Sequence, residues 1–261
     1  MLAKLMKYEI KATARIFLPM YAVLLVFAII NRLLNPFHTF ETQGTFNLQV
    51  LLGALSTVLY FILIIAVFVI ALVISIQRFY KNLLGDEGYL MFTLPVKPWQ
   101  HIISKLLTAV MWYILNGVLV IISGFILISI PEIDFSMIID TVKTMAMNMN
   151  FAAILILILV QLAAGTLMIY DAIALGHLFQ KHRLLASFGM YCALYMAQQL
   201  LLSILILSFS FSWFQFIIRS TDPTPTQLNK FLIFIIIPGI IMGIVHFIVT
   251  NYIMNRKLNL E

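Results

Sequence analysis

The sequence predicts an all-α, polytopic membrane protein with six transmembrane helices, an N-terminal amphipathic interfacial helix and both termini in the cytoplasm. Three observations carry that prediction. Hydrophobic residues form 63% of the 261-residue chain and charged residues 10%. With a mean hydropathy of +1.06, this is more apolar surface than a soluble core of this size buries. Six runs reach the roughly 20 apolar residues that a helix needs to cross a bilayer. Finally, lysine and arginine divide unevenly among the segments between those runs.

The runs are 16–34, 51–76, 106–130, 151–176, 184–209 and 231–252, and the chain 1–261 reads as a single transmembrane domain. The fifth is the least regular, because its uncharged stretch continues from Leu184 to Ile218. Its tail is rich in aromatic residues and serine, and 210–228 is expected to be an outer re-entrant or interfacial segment packed against other spans. With both ends inside, twelve of the sixteen basic residues fall on the inner side, while Arg32, Lys143, Arg219 and Lys230 fall outside. Glu41, Glu132, Asp134, Asp140 and Asp222 also lie outside. The formal charge of +6 therefore reports topology, and no soluble domain is visible that could carry a nucleic-acid surface. Arg32 follows the first span without a small-residue cleavage pattern, so that span reads as a retained anchor rather than a secretory signal. The single cysteine, Cys192, lies in an apolar run, which leaves no disulfide framework and no thiolate zinc site.

Residues 1–15 carry a second pattern. At about 100° per residue, Lys4, Lys7, Lys11 and Arg15 gather within about 80° of arc, opposite Leu2, Leu5, Met6, Ile10, Ile16 and Phe17. That is an amphipathic helix lying against membrane lipid on the inner leaflet. Glu9 projects onto its apolar face. There it either snorkels or pairs locally with a lysine, or it meets a cation on a docked partner.

Catalytic signatures are missing. None of the eleven glycines precedes a lysine, so the phosphate-binding G-x-x-x-x-G-K-[ST] loop is absent, as are H-E-x-x-H and G-x-S-x-G. The chain is expected to be a non-catalytic membrane subunit that binds no cofactor or metal itself. His177 and His182, five apart in GHLFQKHR without a carboxylate or thiol, make a poor metal site. Met145, Met147 and Met149 read as flexible filler rather than soft-cation ligands. Asp171, near the inner end of the fourth span, is the best intramembrane ionisable candidate. It reads either as an interfacial carboxylate paired with the Lys181–Arg183 loop or as a polar site on a substrate or proton path. Gly239 and Gly243 form a small-xxx-small pair that permits close helix packing, within or between subunits.

The segment Arg78–Lys105 is the longest run that mixes charges, glycines and prolines, and it falls on the inner side between the second and third spans. Arg78–Leu84 reads as a helical exit, broken by Gly85 and Gly88 around Asp86 and Glu87. Tyr89, Leu90, Met91 and Phe92 follow as apolar residues on the aqueous side, which calls for a partner. Pro95 and Pro98 fix a turn, Pro98 suits a first helical position, and Lys105 is expected at the interface where the third span begins.

The stretch NLLGDEGYLMFTLPVKPWQHIISKLL, preceded by RFYK, resembles the cytoplasmic loop of type 2 ABC exporter permeases, the membrane subunits of ATP-driven transporters, in the form common in Gram-positive bacteria. KYEIKATAR resembles their amphipathic connecting helix, and the six-span layout covers the whole chain. The aromatic piece before the sixth span is similar to the short outer re-entrant helices of the same class. The resemblance implies that Arg78–Pro95 is a coupling helix docking on a separate ATPase subunit, which would bind ATP and Mg. Its contact residues would be Arg78, Tyr80, Lys81, Asp86, Glu87, Tyr89, Met91, Phe92, Leu94 and Pro95. Asp86, Glu87 and Tyr89 would anchor the docking, while Leu94 and Pro95 would keep the helix rigid. His177, Gln180, Lys181 and Arg183 would supply a second, smaller cytoplasmic contact. Two permease chains, identical or homologous, and two ATPase chains would form an exporter in the bacterial plasma membrane. The spans are predominantly aliphatic, with Asn116, Gln161, Gln198 and Gln199 as scattered polar groups, which favours an amphipathic or lipid-like substrate or peptide over a small ion.

Two other classes are compatible with the same residues. One is a membrane sensor or scaffold that docks a cytoplasmic partner through 78–105. The other is an ion-driven secondary transporter, which calls for several ionisable groups within the spans and often an inverted repeat. Only Asp171 meets the first requirement, and no repeat between the halves is visible.

Overall fold

The computed structural model describes residues 2–34, 48–85, 88, 96–127, 140, 143–144, 150–179, 181–219 and 225–256. The long elements are helices: α1 (Leu2–Leu34), α2 (Leu48–Phe79), α3 (Pro98–Leu127), α4 (Asn150–His177), α5 (Arg183–Arg219) and α6 (Pro225–Arg256). Each is long and apolar enough to cross a membrane. A 33-residue helix such as α1 is about 50 Å long at 1.5 Å per residue, more than the roughly 30 Å of hydrocarbon. The predicted interfacial segment 1–15 and the first span are thus turns of one helix from Leu2 onward. Along it Lys4, Lys7, Lys11 and Arg15 are exposed, while Glu9, Thr13 and Phe17 are buried. Helix α5 likewise continues through 210–219, the first part of the predicted outer segment, while 220–224 lie outside the described residues.

Chain contacts group into two units. The first comprises Met1–Ser75 and Leu107–Ile139. Here α2 runs antiparallel to both α1 and α3. Apolar contacts set the layers, with Leu24, Ala28, Tyr60, Val67 and Leu119 in one cluster and Phe17, Ala71, Ile74 and Trp112 in the next. The Phe17 and Trp112 rings stack at 4.3 Å. Polar rungs cross between these layers, because a polar group in an apolar interior is costly unless it is bonded. Trp112 Nε1 donates to Thr13 Oγ1 at 2.8 Å, Tyr21 donates to Asn116, and Tyr60 and Ser123 share a bond of 2.8 Å. Asn31 is the most connected: its Nδ2 donates to the carbonyls of Phe27 and Ser56, and its Oδ1 accepts from the Ser56 and Thr57 hydroxyls.

The second unit comprises Ile76–Leu106 and Asp140–Glu261. Helices α4 and α5 form an antiparallel hairpin, and α6 runs parallel to α4. The hairpin turn ends at His182, whose φ of 57° is left-handed and whose carbonyl accepts from Ala186 N–H at 2.9 Å. Gly176 permits the tight approach at its base, since a Cβ there would collide with the Ser187 backbone and side chain. The core of this unit joins Phe79, Leu83, Leu84 and Ile102 to Leu167, Tyr170, Ile173 and Met254.

Candidate functional site

Helix α2 does not end as an α-helix. Tyr80–Leu84 form a π-helical turn, closed by Gly85 N–H donating to Tyr80 O at 2.9 Å. Glycine suits position 85, because a Cβ would lie 2.9 Å from the Lys81 carbonyl oxygen. This turn is the root of the 78–105 loop and it is fixed from within: Phe79 and Leu83 are fully buried, and the Phe79 ring stacks on Tyr170 at 4.1 Å and 7°. The far root is fixed as well. Pro98 opens α3, as expected of a first helical position, and Ile102 is fully buried in the same cluster. Lys105 is the eighth residue of α3 and is only 4% exposed.

Two of the predicted contact surfaces meet. The Tyr80 ring stands edge-on to the His177 ring at 6.3 Å and 73°, so the 78–105 root adjoins the turn after α4. Lys81, Lys97 and Lys181 are exposed around these segments, with Leu178 and Phe179 exposed beside Lys181. Arg78 and Arg183 are partly buried. Asp86, Glu87, Tyr89, Met91, Phe92, Leu94, Pro95 and Gln180 lie outside the described residues, as do Met145, Met147 and Met149. Among the described residues no cluster of three or more His, Cys, Asp or Glu side chains could hold a metal.

Asp171, one residue beyond Tyr170, is 2% exposed. Its partner is His246 of α6, with Nδ1 and Oδ2 at 2.8 Å, and among the described residues no ion pair joins it to Lys181 or Arg183. The second carboxylate oxygen, Oδ1, and the second ring nitrogen, Nε2, are buried with no hydrogen-bond partner in the structure. Thr250, fully buried, donates its hydroxyl to the His246 carbonyl at 2.7 Å. A carboxyl and an imidazole so placed can share a proton between Oδ2 and Nδ1.

The glycines bring this pair together. A Cβ on Gly239 would lie 2.9 Å from Val160 Cγ1, and one on Gly243 would lie 3.6 Å from the Ala164 Cβ. Close backbone approach of α4 and α6 is thus available at two successive turns, and the pair follows one turn later. The predicted small-xxx-small packing operates within the chain. Sequence reasoning passed over His246, although a signal existed: 239, 243, 246 and 250 share one helical face, so the glycine seam extends directly to His246 and Thr250.

The architecture is that of a polytopic helical membrane protein with an ionisable pair in its interior. Comparison with protein-family models, with curated proteins and with solved structures gives no match.

Proposed function

We propose that the chain is the permease subunit of a type 2 ABC exporter, carrying an amphipathic or lipid-like substrate or peptide out of a bacterial cell with energy from a separate ATPase. The observation that carries this reading is the anchored loop root. Tyr80 of the first proposed contact abuts His177 of the second, and Phe79 stacks on Tyr170 of α4. A chain without a nucleotide site can use ATP only through a partner whose two states contact it differently. A partner pressing on both loops would act on one buried cluster that includes α4 and, through Met254, α6. Both termini and both loops lie in the cytoplasm on this reading, with a second permease chain completing the pathway.

The test is gentle purification from the native membrane with mass spectrometry of what comes along. A stoichiometric ATPase bearing a phosphate-binding loop, released or uncoupled from transport by Glu87→Ala with Tyr89→Ala, is the expected result. Recovery of the chain alone, or with a receptor or kinase, overturns the permease reading and favours a sensor or scaffold.

A second reading is favoured by the Asp171–His246 pair, which adds a second intramembrane ionisable group where the sequence offered one. On that reading ion-driven transport would need no ATPase. Reconstituted vesicles separate the two: uptake driven by a pH gradient in the absence of ATP, abolished by His246→Leu, supports the second reading alone.

A further inference from the structure

Helices α3 and α5 begin, and α4 and α6 end, at one end of the second unit, where Ile102, Ile173 and Met254 share a buried cluster. Three aromatic residues are exposed there, each close in sequence to an exposed cation. Trp99 follows Lys97 at the start of α3, Lys181 follows Phe179 in the α4–α5 turn, and Arg256 follows Tyr252 at the end of α6. The Arg256 guanidinium carbon lies 5.9 Å from the Tyr252 ring centroid, a cation–π contact that holds those two together. Among the described residues no carboxylate pairs with Lys97, Lys181 or Arg256. Lys143, which precedes the opposite end of α4, has the Asp140 carboxylate at 3.9 Å instead.

Depth along the helices gives this pattern its meaning. Arg256 lies one turn beyond Tyr252, about 6 Å at 1.5 Å per residue, and Lys97 stands just outside the helix that Trp99 has entered. In both, the ring is nearer the apolar span and the cation farther from it. A phospholipid presents its glycerol region and then its phosphate in that same order. Rings with one apolar and one wet side favour this depth, and lysine and arginine are drawn to an anionic leaflet. Leu184, Leu185 and Phe188, exposed at the start of α5, add an apolar wall for acyl chains beside Lys181.

We infer that this end of the unit binds anionic phospholipid, with Lys97, Lys181 and Arg256 on the phosphates and Trp99, Phe179 and Tyr252 at the glycerol level. The protein thereby selects anionic over zwitterionic lipid from the leaflet that it faces, which is the cytoplasmic one on the proposed topology. The inference goes beyond the permease reading. Lys97, Trp99, Tyr252 and Arg256 belong to neither proposed ATPase contact, and lipid is bound whether or not an ATPase docks.

Trp99 supplies an intrinsic probe. The natural chain is reconstituted in phosphatidylcholine vesicles that contain the same small fraction of either brominated phosphatidylglycerol or brominated phosphatidylcholine, whose bromines quench tryptophan. Subtracting the signal of Trp99→Phe isolates the Trp99 component from those of Trp112 and Trp213. Quenching by the anionic lipid should exceed quenching by the zwitterionic one. Lys97→Gln should cut that preference about fivefold, the effect of one cation near an anionic surface, while Lys97→Arg should keep it. High salt should shrink it. Native mass spectrometry extends the test to α6: Arg256→Gln should retain fewer phosphatidylglycerol molecules than the natural chain. Equal quenching by the two lipids, or a preference unchanged in Lys97→Gln, overturns the inference. If the lipids quench alike and Lys97→Gln with Arg256→Gln releases a co-purifying ATPase, the face belongs to a protein, so the inference fails and the permease reading stands. A lipid preference in a chain that recruits no ATPase gives the reverse result.

Discussion

Replacing His246 by leucine tests the buried pair most directly. At 2.8 Å the bond to Nδ1 is the hydrogen bond of the Asp171 carboxylate, whose other oxygen is already without one. His246→Leu therefore leaves both oxygens unsatisfied on a residue that is 2% exposed. Breaking a buried charged pair costs about 3–5 kcal/mol, and stranding a neutral buried polar group about 1–3 kcal/mol. Polar contacts between membrane helices average nearer 0.6 kcal/mol, because the separated helices find other partners. Here the stranded group is a carboxyl that is 2% exposed and already has one oxygen without a partner, so a loss of about 3 kcal/mol is expected. Asp171→Leu, which strands only the imidazole, should cost about 2 kcal/mol. Combining the two leaves no orphan, and the double variant should lie within about 1 kcal/mol of the natural chain. Reversible unfolding of the chain in mixed micelles, followed by circular dichroism, measures all four corners of the cycle. Single losses below about 0.5 kcal/mol, or a double loss equal to the sum of the singles, would refute the reasoning.

Alanine at the three close-contact glycines should rank by available space in the same assay. Gly176→Ala is the most damaging, as its Cβ meets the Ser187 backbone; Gly239→Ala is intermediate at 2.9 Å from a valine methyl; Gly243→Ala is near neutral at 3.6 Å. Asn31→Leu should cost only about 1 kcal/mol despite its four bonds, because the Ser56 and Thr57 hydroxyls keep the Gly53 carbonyl. His182→Gly should stabilise the α4–α5 hairpin by about 1 kcal/mol, read as a raised melting temperature, since the left-handed backbone at φ 57° costs a side-chain-bearing residue about that much.

Much of the fold was legible because bilayer thickness and hydropathy act on single segments. The six spans emerge from run length alone, and Pro98 marks the start of α3 by its own stereochemistry. What stayed hidden depends on more than one segment. Apolar runs locate the hydrocarbon part of a helix but not where the helix stops, so the 1–15 segment and the span from 16 join as one helix from Leu2, and α5 runs on to Arg219. The π-helical turn leaves no trace in composition, and Phe79, Leu83 and Leu84 around it pack into a core shared with residues far along the chain. Asp171 could be singled out as a charged residue in an apolar run. Its partner lies 75 residues away, and a single histidine has no pattern of its own. The glycines beside it were the available clue, and using it required extending the seam along α6 rather than stopping at Gly243.

That separation of 75 residues also sets a schedule for biosynthesis. At about 5–20 residues per second, roughly 4–15 s pass between the synthesis of Asp171 and that of His246. The Asn31 rung, only 25 residues from Ser56, is completed within about 1–5 s. Helix α4 is thus complete before its partner on α6 exists, and the Asp171 carboxyl has no His246 to bond until the final span is made. Chains that stop before α6 therefore keep Asp171 without the one hydrogen-bond partner its carboxyl has in the finished protein.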